Sequence, residues 1–159
     1  MATTLPINST PSSALRAVQA ILAAGLVCGT LDGLTALVVY PVGWKALFQF
    51  IASGILGPKS FEGGLKTALL GMALHYTVAF GAAIVYYAAS RVLPVLLQRA
   101  LLLGIAYGVC VHLVMTFVVV PLSAIGRRPQ TVQGFLTGLV VHMIVVGPSI
   151  ALTLRRCLR

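Results

Sequence analysis

The chain has 159 residues, of which 59% are hydrophobic and 8% are charged, and its formal net charge is +9 at pH 7. A soluble domain has about 25% charged residues, so this composition excludes a globular protein with a polar surface and indicates one domain in a lipid bilayer. Nucleic acid is also excluded as a partner, because Lys and Arg flank the apolar stretches, where they meet lipid headgroups, and form no separate patch.

Four apolar stretches predict membrane-spanning helices, since each is close to the length of about 20 residues that a bilayer requires. They lack the alternating pattern of β-barrel strands. The predicted fold is therefore an all-α, integral membrane four-helix bundle over residues 17–159, preceded by a disordered tail at 1–16 that is rich in Ser, Thr and Pro. The predicted spans are 17–40, 67–89, 100–120 and 135–154.

The segment between the first and second spans, residues 44–56, predicts a further helix. Its polar residues Lys45, Gln49 and Ser53 are four apart, which places them on one face of a helix that is otherwise apolar. This pattern is typical of a helix that lies in the membrane interface. A lid over the bundle is the alternative interpretation.

Prolines mark the ends of the predicted helices. Pro41 and Pro121 follow the first and third apolar stretches and should end those helices. Gly147-Pro148 lies inside the fourth stretch and should kink it.

Positive charges around the spans give an orientation. Basic residues are slightly more numerous on the side of the two termini than on the side of the first and third loops, which predicts that both termini lie in the cytoplasm. The terminal side carries Arg16, Arg91, Arg99, Arg155, Arg156 and Arg159, and the other side carries Lys45, Lys59, Lys66, Arg127 and Arg128.

Short matches between the two halves predict a duplicated pair of helices. The sequence VVYP that ends at Pro41 resembles the VVVP that ends at Pro121, and a Gly-x-x-x-His pattern occurs in both the second and the fourth spans. Such a repeat would relate the two helix pairs by an axis along the membrane normal. The equivalent residues would be Asp32 with His112, and His75 with His142.

One ionisable residue lies near the middle of each predicted span. A charged residue there costs about 2.5–3.5 kcal/mol, and residues that persist at this depth usually face a protein interior or an aqueous cavity. At 1.5 Å per residue, all four lie about 3–5 Å from the span centres, toward the ends joined by the first and third loops. The candidate site is therefore one polar layer formed by Asp32, His75, His112 and His142.

Small residues recur at every fourth position beside these groups. Such ridges let membrane helices approach closely, so they should face other helices and turn the histidines inward. The predicted packing glycines are Gly25, Gly29, Gly33, Gly71, Gly104, Gly108, Gly134 and Gly138.

Three interpretations of the layer remain open. The polar groups can hydrogen-bond across helices and specify packing, as in a structural or assembly subunit. Imidazoles with a carboxylate can bind a metal ion such as zinc or iron, or two histidines can ligate a haem. Asp and His at membrane depth can also transfer protons or ions, and the small size of the chain then favours a homo-oligomer or a partner in a membrane complex.

Cysteines give little further information. Cys28 and Cys110 lie inside spans and are predicted to be small buried hydrophobes, with a disulfide between them as the alternative. There is no C-x-x-C motif.

With four spans, a Gly-rich first helix, His75 in the second span and a basic loop before the last, the chain resembles small bacterial inner-membrane proteins of the YagU-like kind. The resemblance covers residues 17–154. It implies an all-helical bundle in a bacterial inner membrane. That group has no agreed activity, so the resemblance assigns no functional residues.

Overall fold

A computed structural model describes residues 12–126 and 129–159, and this part of the chain is helical without strands. Four of the helices are long and apolar enough to cross a membrane, which confirms the predicted all-α four-helix bundle and makes the chain an integral membrane protein. The helices are α1 (Ser13–Val39), α2 (Trp44–Leu56), α3 (Gly64–Val92), α4 (Val95–Gln98), α5 (Ala100–Leu122) and α6 (Val132–Leu158), with a 3₁₀ turn at Gly57–Phe61.

The first span begins earlier than predicted and ends where Pro41 required. The Ser12 side chain accepts a hydrogen bond from the Leu15 backbone N–H at 3.2 Å, a cap that starts the helix at Ser13. Residues 13–16 are therefore helical, contrary to the predicted tail. Residues 1–11 of that tail lie outside the described residues.

Helices α5 and α6 each contain a π-helical turn shortly before a proline. The turns are Met115–Val119 and His142–Val146, followed by Pro121 and Pro148. Because proline has no N–H and its ring pushes against the preceding turn, a wider turn accommodates it. The expectation that Pro121 ends the third span was wrong, since α5 continues to Leu122. In the fourth span the predicted irregularity takes the form of the π turn.

The four spanning helices form an incomplete ring. Helix α1 packs against both α3 and α6, and α5 packs against α6, whereas α3 and α5 contact each other only loosely. The Tyr107 hydroxyl donates to the Ala82 carbonyl across this gap at 2.8 Å. An exact twofold repeat would give the α1–α6 contact an equivalent between α5 and α3. In the described helices the α3–α5 contact is much weaker than the α1–α6 contact, and the duplication stays a prediction.

Most of the predicted glycines lie where helices approach closely. A Cβ on Gly108 would overlap the His142 backbone of α6, and one on Gly71 would overlap the Phe48 backbone of α2. Gly134 is different, because its nearest neighbour is Thr131, the cap of its own helix. Close contacts to another spanning helix occur at Gly25, Gly29, Gly33, Gly104, Gly108 and Gly138.

The hydrophobic core occupies the end of the bundle nearest the termini. This region, called here the packed half, consists of small and medium apolar residues from α1, α3 and α6, and Tyr86 closes it by donating to the Leu96 carbonyl at 2.9 Å. The opposite end, toward the first and third loops, is called the cavity half. The packed half contains Ala20, Ala24, Ala79, Ala83, Ile150, Ala151 and Leu154.

Helix α2 has the predicted bounds, but two of its three polar residues point into the protein, and only Lys45 is exposed. Gln49 and Ser53 are buried, and the Gln49 side chain donates to the Gly64 carbonyl at 3.0 Å and to the Thr67 hydroxyl at 3.2 Å. The lid interpretation gains support, because the Ala124 N–H of the third loop donates to the Gly54 carbonyl at 2.8 Å. Arg127 and Arg128 of that loop lie outside the described residues.

All three cysteines are free. Cys28 is buried as predicted, whereas Cys110 and Cys157 are exposed. The alternative disulfide between Cys28 and Cys110 is therefore not formed.

Candidate functional site

A cavity of about 320 Å³ lies among the four spanning helices, and all four ionisable residues of the predicted layer line it. Each comes from a different spanning helix. The depth estimate from the sequence placed these residues at one level, and the structure brings them together at one site. The residues are Asp32 of α1, His75 of α3, His112 of α5 and His142 of α6.

The cavity belongs to one side of the membrane. Tyr40 at the end of α1, Val120 near the end of α5 and Gln130 before α6 line it at the side of the first and third loops. Cys28 and Val146 line its other end, and both are members of the packed core. The cavity is therefore a one-sided recess of the cavity half, closed toward the termini.

His75 joins α3 to α1. Its Nε2 lies 2.8 Å from the Gly29 carbonyl oxygen, and a carbonyl only accepts, so Nε2 carries the proton and donates. In the neutral ring, Nδ1 is then left as an acceptor. A Cβ on Gly33 would lie 3.4 Å from Nε2, so the absence of a side chain at Gly33 leaves room for the imidazole.

His142 makes its hydrogen bond within its own helix. Its Nδ1 lies 2.7 Å from the Gly138 carbonyl oxygen, one turn earlier. By the same argument Nδ1 donates, and Nε2 of the neutral ring is left as an acceptor. The π turn of α6 begins at this residue, and π turns occur frequently at functional sites.

His112 is the most buried polar group of the layer. Its side chain is 3% exposed, and both ring nitrogens are buried without a hydrogen-bond partner among the described residues. The ring contacts the rings of His142 and Phe135, at centroid distances of 5.0 and 4.9 Å. Leaving a buried polar atom unpaired costs about 1–3 kcal/mol, so two such atoms on one ring call for a functional explanation.

Asp32 is half-buried at the cavity wall. No Lys or Arg of the described residues lines the cavity, so none of these stands beside the carboxylate as a fixed cation. The three histidines line the same cavity, and the ionised carboxylate accepts hydrogen bonds only. The carboxylate and the remaining ring nitrogens of His75 and His142 are therefore acceptors at this site.

The geometry bears on the metal and haem interpretations. Within the described ranges, no group of three or more His, Cys, Asp or Glu side chains lies in an arrangement that holds a metal ion. The His112 and His142 rings contact each other directly at 5.0 Å and are tilted by 58°. This contact leaves no room between them for a macrocycle.

Sequence reasoning missed several residues that line the cavity. Thr116 follows His112 at the spacing of the α5 ridge, so that ridge already carried a signal for it. Tyr40 is the last residue of the first predicted span and Gln130 lies in a loop, and periodicity gives no information at either position. The residues missed are Tyr40, Ile51, Met115, Thr116 and Gln130.

No family of known proteins, no curated protein and no solved structure matches this chain. The resemblance to YagU-like proteins stays a prediction, and the function is argued from the site alone.

Proposed function

We propose that the protein takes up and releases protons at Asp32 and the adjacent histidines, through the cavity and from the side of the first and third loops. The observation that supports this proposal is the convergence of four ionisable side chains, one from each spanning helix, on one cavity that reaches the loops. Chains of Asp and His at membrane depth are typical of proton relays.

The surroundings of Asp32 favour exchange with water over a permanent ion pair. The ionisable groups that face the cavity with it are His75 from α3, His112 from α5 and His142 from α6, with Tyr40 and Cys28 from its own helix. A carboxylate without a fixed cation is costly in a membrane. Proton uptake removes its charge, and the free acceptor nitrogens of the histidines can receive the proton in turn.

The membrane and the orientation are part of the proposal. The resemblance to YagU-like proteins favours a bacterial inner membrane, and the distribution of Lys and Arg favours cytoplasmic termini. With this orientation the cavity opens away from the cytoplasm. The chain then exchanges protons with the compartment outside the inner membrane, alone, as a homo-oligomer or within a membrane complex.

Infrared spectroscopy of the protein in lipid nanodiscs tests the proposal. As the pH is lowered in steps, the carbonyl stretch of a protonated carboxyl should appear, and Asp32→Asn should remove the component that belongs to the cavity. Glu62→Gln is the matched control, because Glu62 is the only other acidic side chain of the sequence and is exposed outside the cavity. The proposal fails if the spectra of wild type and Asp32→Asn change identically with pH.

A metal or haem is a competing occupant of the same residues. Protein purified without chelators and analysed by mass spectrometry and visible absorption should contain neither a stoichiometric metal nor a Soret band. If either is found and is lost in Asp32→Asn, cofactor binding replaces proton exchange as the function.

A structural role is the second candidate, and the bond from His75 to the Gly29 carbonyl at 2.8 Å favours it. This is a hydrogen bond between two spanning helices, as a packing layer requires. It accounts for His75 but not for His112, whose nitrogens have no partner in the part of the chain that the structure describes. If substitutions at all four residues change only stability, the packing role is sufficient.

A further inference from the structure

We propose that the cavity binds a protonated primary amine that carries a single alkyl tail, with the ammonium beside Asp32 and the tail in a groove between α3 and α5. This inference rests on the proposed function, because the ammonium takes the place of the proton on Asp32. The carboxyl O–H bond breaks, the proton leaves to water, and the carboxylate pairs with the bound cation.

The hydrogen-bonding groups of the cavity indicate which head group of a ligand would bind there. His75 and His142 each donate one N–H to a backbone carbonyl, which leaves a lone pair on each ring, and Asp32 adds a carboxylate. A primary ammonium has three N–H donors and no acceptor, so it complements these three acceptors. Hydrogen bonds in which both partners are charged are also about twice as strong as neutral ones.

His112 provides independent support for a ligand at this position. It lines the cavity and is only 3% exposed. Neither ring nitrogen has a hydrogen-bond partner among the described residues. A neutral imidazole has one acceptor nitrogen and one donor nitrogen. An ammonium N–H in the cavity is a partner for the acceptor.

The groove beside the cavity indicates the tail. It has a volume of about 260 Å³ and an almost wholly apolar lining that includes Val85, Val114 and Val119. Because α3 and α5 pack loosely, the groove lies on the side of the bundle that faces lipid. The groove adjoins the cavity, since the same four residues form part of the wall of both: Val78, Ala82, Val111 and Met115.

The shape of the site favours one chain over a two-chain lipid. The groove alone, at about 260 Å³, lies just below the volume range of small-molecule sites, which is about 300–1,000 Å³. A phospholipid with an amine head group would also bring its anionic phosphate close to Asp32, where like charges repel. The ligand class is therefore a free alkylamine.

Decylamine is a suitable probe, used with the full-length protein in nanodiscs of phosphatidylcholine and phosphatidylglycerol, which contain no primary amine. Calorimetry, corrected for empty nanodiscs, gives the Kd, and a pH-sensitive dye in weak buffer reports proton release. Decyltrimethylammonium has the charge without N–H donors and decanol lacks the charge. Both should bind at least about tenfold more weakly, the loss expected for a charge-assisted hydrogen bond.

Two variants separate the head site from the tail groove. Asp32→Asn should abolish proton release and weaken decylamine binding by about tenfold or more. Gly81→Leu should fill the groove and weaken binding without changing the infrared titration of Asp32, because Gly81 lines the groove but not the cavity and a Cβ there meets nothing within 4 Å. Ala73→Leu, at an exposed position of the same helix, is the matched control and should bind as wild type.

Several outcomes would overturn the amine proposal. If Asp32 titrates in the infrared spectra but decylamine does not bind above the empty-nanodisc background, the proton function stands and the amine ligand is wrong. Equal binding of decyltrimethylammonium and decylamine would mean that charge, not N–H donation, is recognised. Loss of decylamine binding when phosphatidylethanolamine is added to the nanodiscs would identify a lipid head group as the occupant. If Asp32 does not titrate at all, both proposals fail.

Discussion

The helices pack differently in the two halves of the bundle. In the packed half, alanines of α1 and α3 meet Ile150 and Leu154 of α6, and these side chains are almost fully buried. In the cavity half, the same four helices separate around about 320 Å³ of space lined by ionisable residues. The packed half therefore associates through apolar contacts, whereas the cavity half places ionisable groups between its helices.

The energetic cost of the fold is concentrated in the cavity half. In the packed half, the buried Tyr86 hydroxyl has a hydrogen-bond partner, because it donates to the Leu96 carbonyl. The cavity half contains both π turns, together with His112 and Asp32, which have no hydrogen-bond partner and no cation beside them, respectively, among the described residues. Costs that concentrate in one region are typical of functional sites, where packing and hydrogen bonding are not optimised for stability.

The largest expected effect is on the contact that joins α5 to α6. Gly147→Ala should destabilise the protein by about 1–3 kcal/mol or more, because a Cβ there would overlap the Gly104 carbonyl and the Gly108 nitrogen of the facing helix. Thermal unfolding in detergent measures the effect. Gly81→Ala is the matched control, since it adds the same methyl group where nothing lies within 4 Å. Equal stability of the two variants would show that the close helix contact is not required.

The next largest effect on stability distinguishes His75 from His142, the two histidines that make hydrogen bonds. His75→Leu should cost about 0.6–2 kcal/mol, the value of a contact between membrane helices, because it removes the bond to the Gly29 carbonyl of α1. His142→Leu should cost less, since its bond stays within α6. Thermal unfolding of the two variants side by side gives the order, and the reverse order would contradict the roles assigned to them.

His112→Leu should leave the stability unchanged or raise it by about 1 kcal/mol. The substitution removes two buried nitrogens that have no partner, and each such atom costs about 1–3 kcal/mol, partly offset by the change of shape against Phe135. Proton release on amine binding should fall in the same variant. A clear loss of stability would mean that His112 has a partner and is structural.

Asp32→Asn should have the smallest effect on stability, within about 0.5 kcal/mol. The amide keeps the shape of the carboxylate, and Asp32 already borders open space. The same protein should lose its pH-dependent carboxyl signal, so stability and function separate at this residue. A large change in unfolding temperature, measured in parallel with Glu62→Gln, would place Asp32 in the packing and not in the function.

Much of this fold could be predicted from the sequence, because length and hydropathy alone determine how many helices can span a bilayer. The bounds of α2 and the layer of Asp32, His75, His112 and His142 followed from spacing and from a rise of 1.5 Å per residue. The start at Ser13 was missed because the apolar pattern begins later than the Ser12 cap. The run through Pro121 was missed because a π turn leaves no signal in the hydropathy.

The site itself was only partly predictable. Periodicity shows which residues share a helix face, but not which neighbouring helix that face meets, so the gap between α3 and α5 was not foreseen. The burial of Gln49 was missed for a related reason, because a polar stripe looks the same whether it faces headgroups or backbone carbonyls such as that of Gly64. Hydrogen bonds decide between these environments, and they depend on tertiary contacts.

Thiol labelling tests directly whether the cavity half is open to water from one side of the membrane while the packed half is closed. In a chain whose Cys28, Cys110 and Cys157 are replaced, Thr116→Cys places a thiol on the cavity wall and Ile150→Cys places one in the packed core. A charged, membrane-impermeant methanethiosulfonate should modify Thr116→Cys in oriented vesicles only from the side of the first and third loops, and should not modify Ile150→Cys. Unreactive Thr116→Cys, or equal labelling of both thiols, would contradict the account.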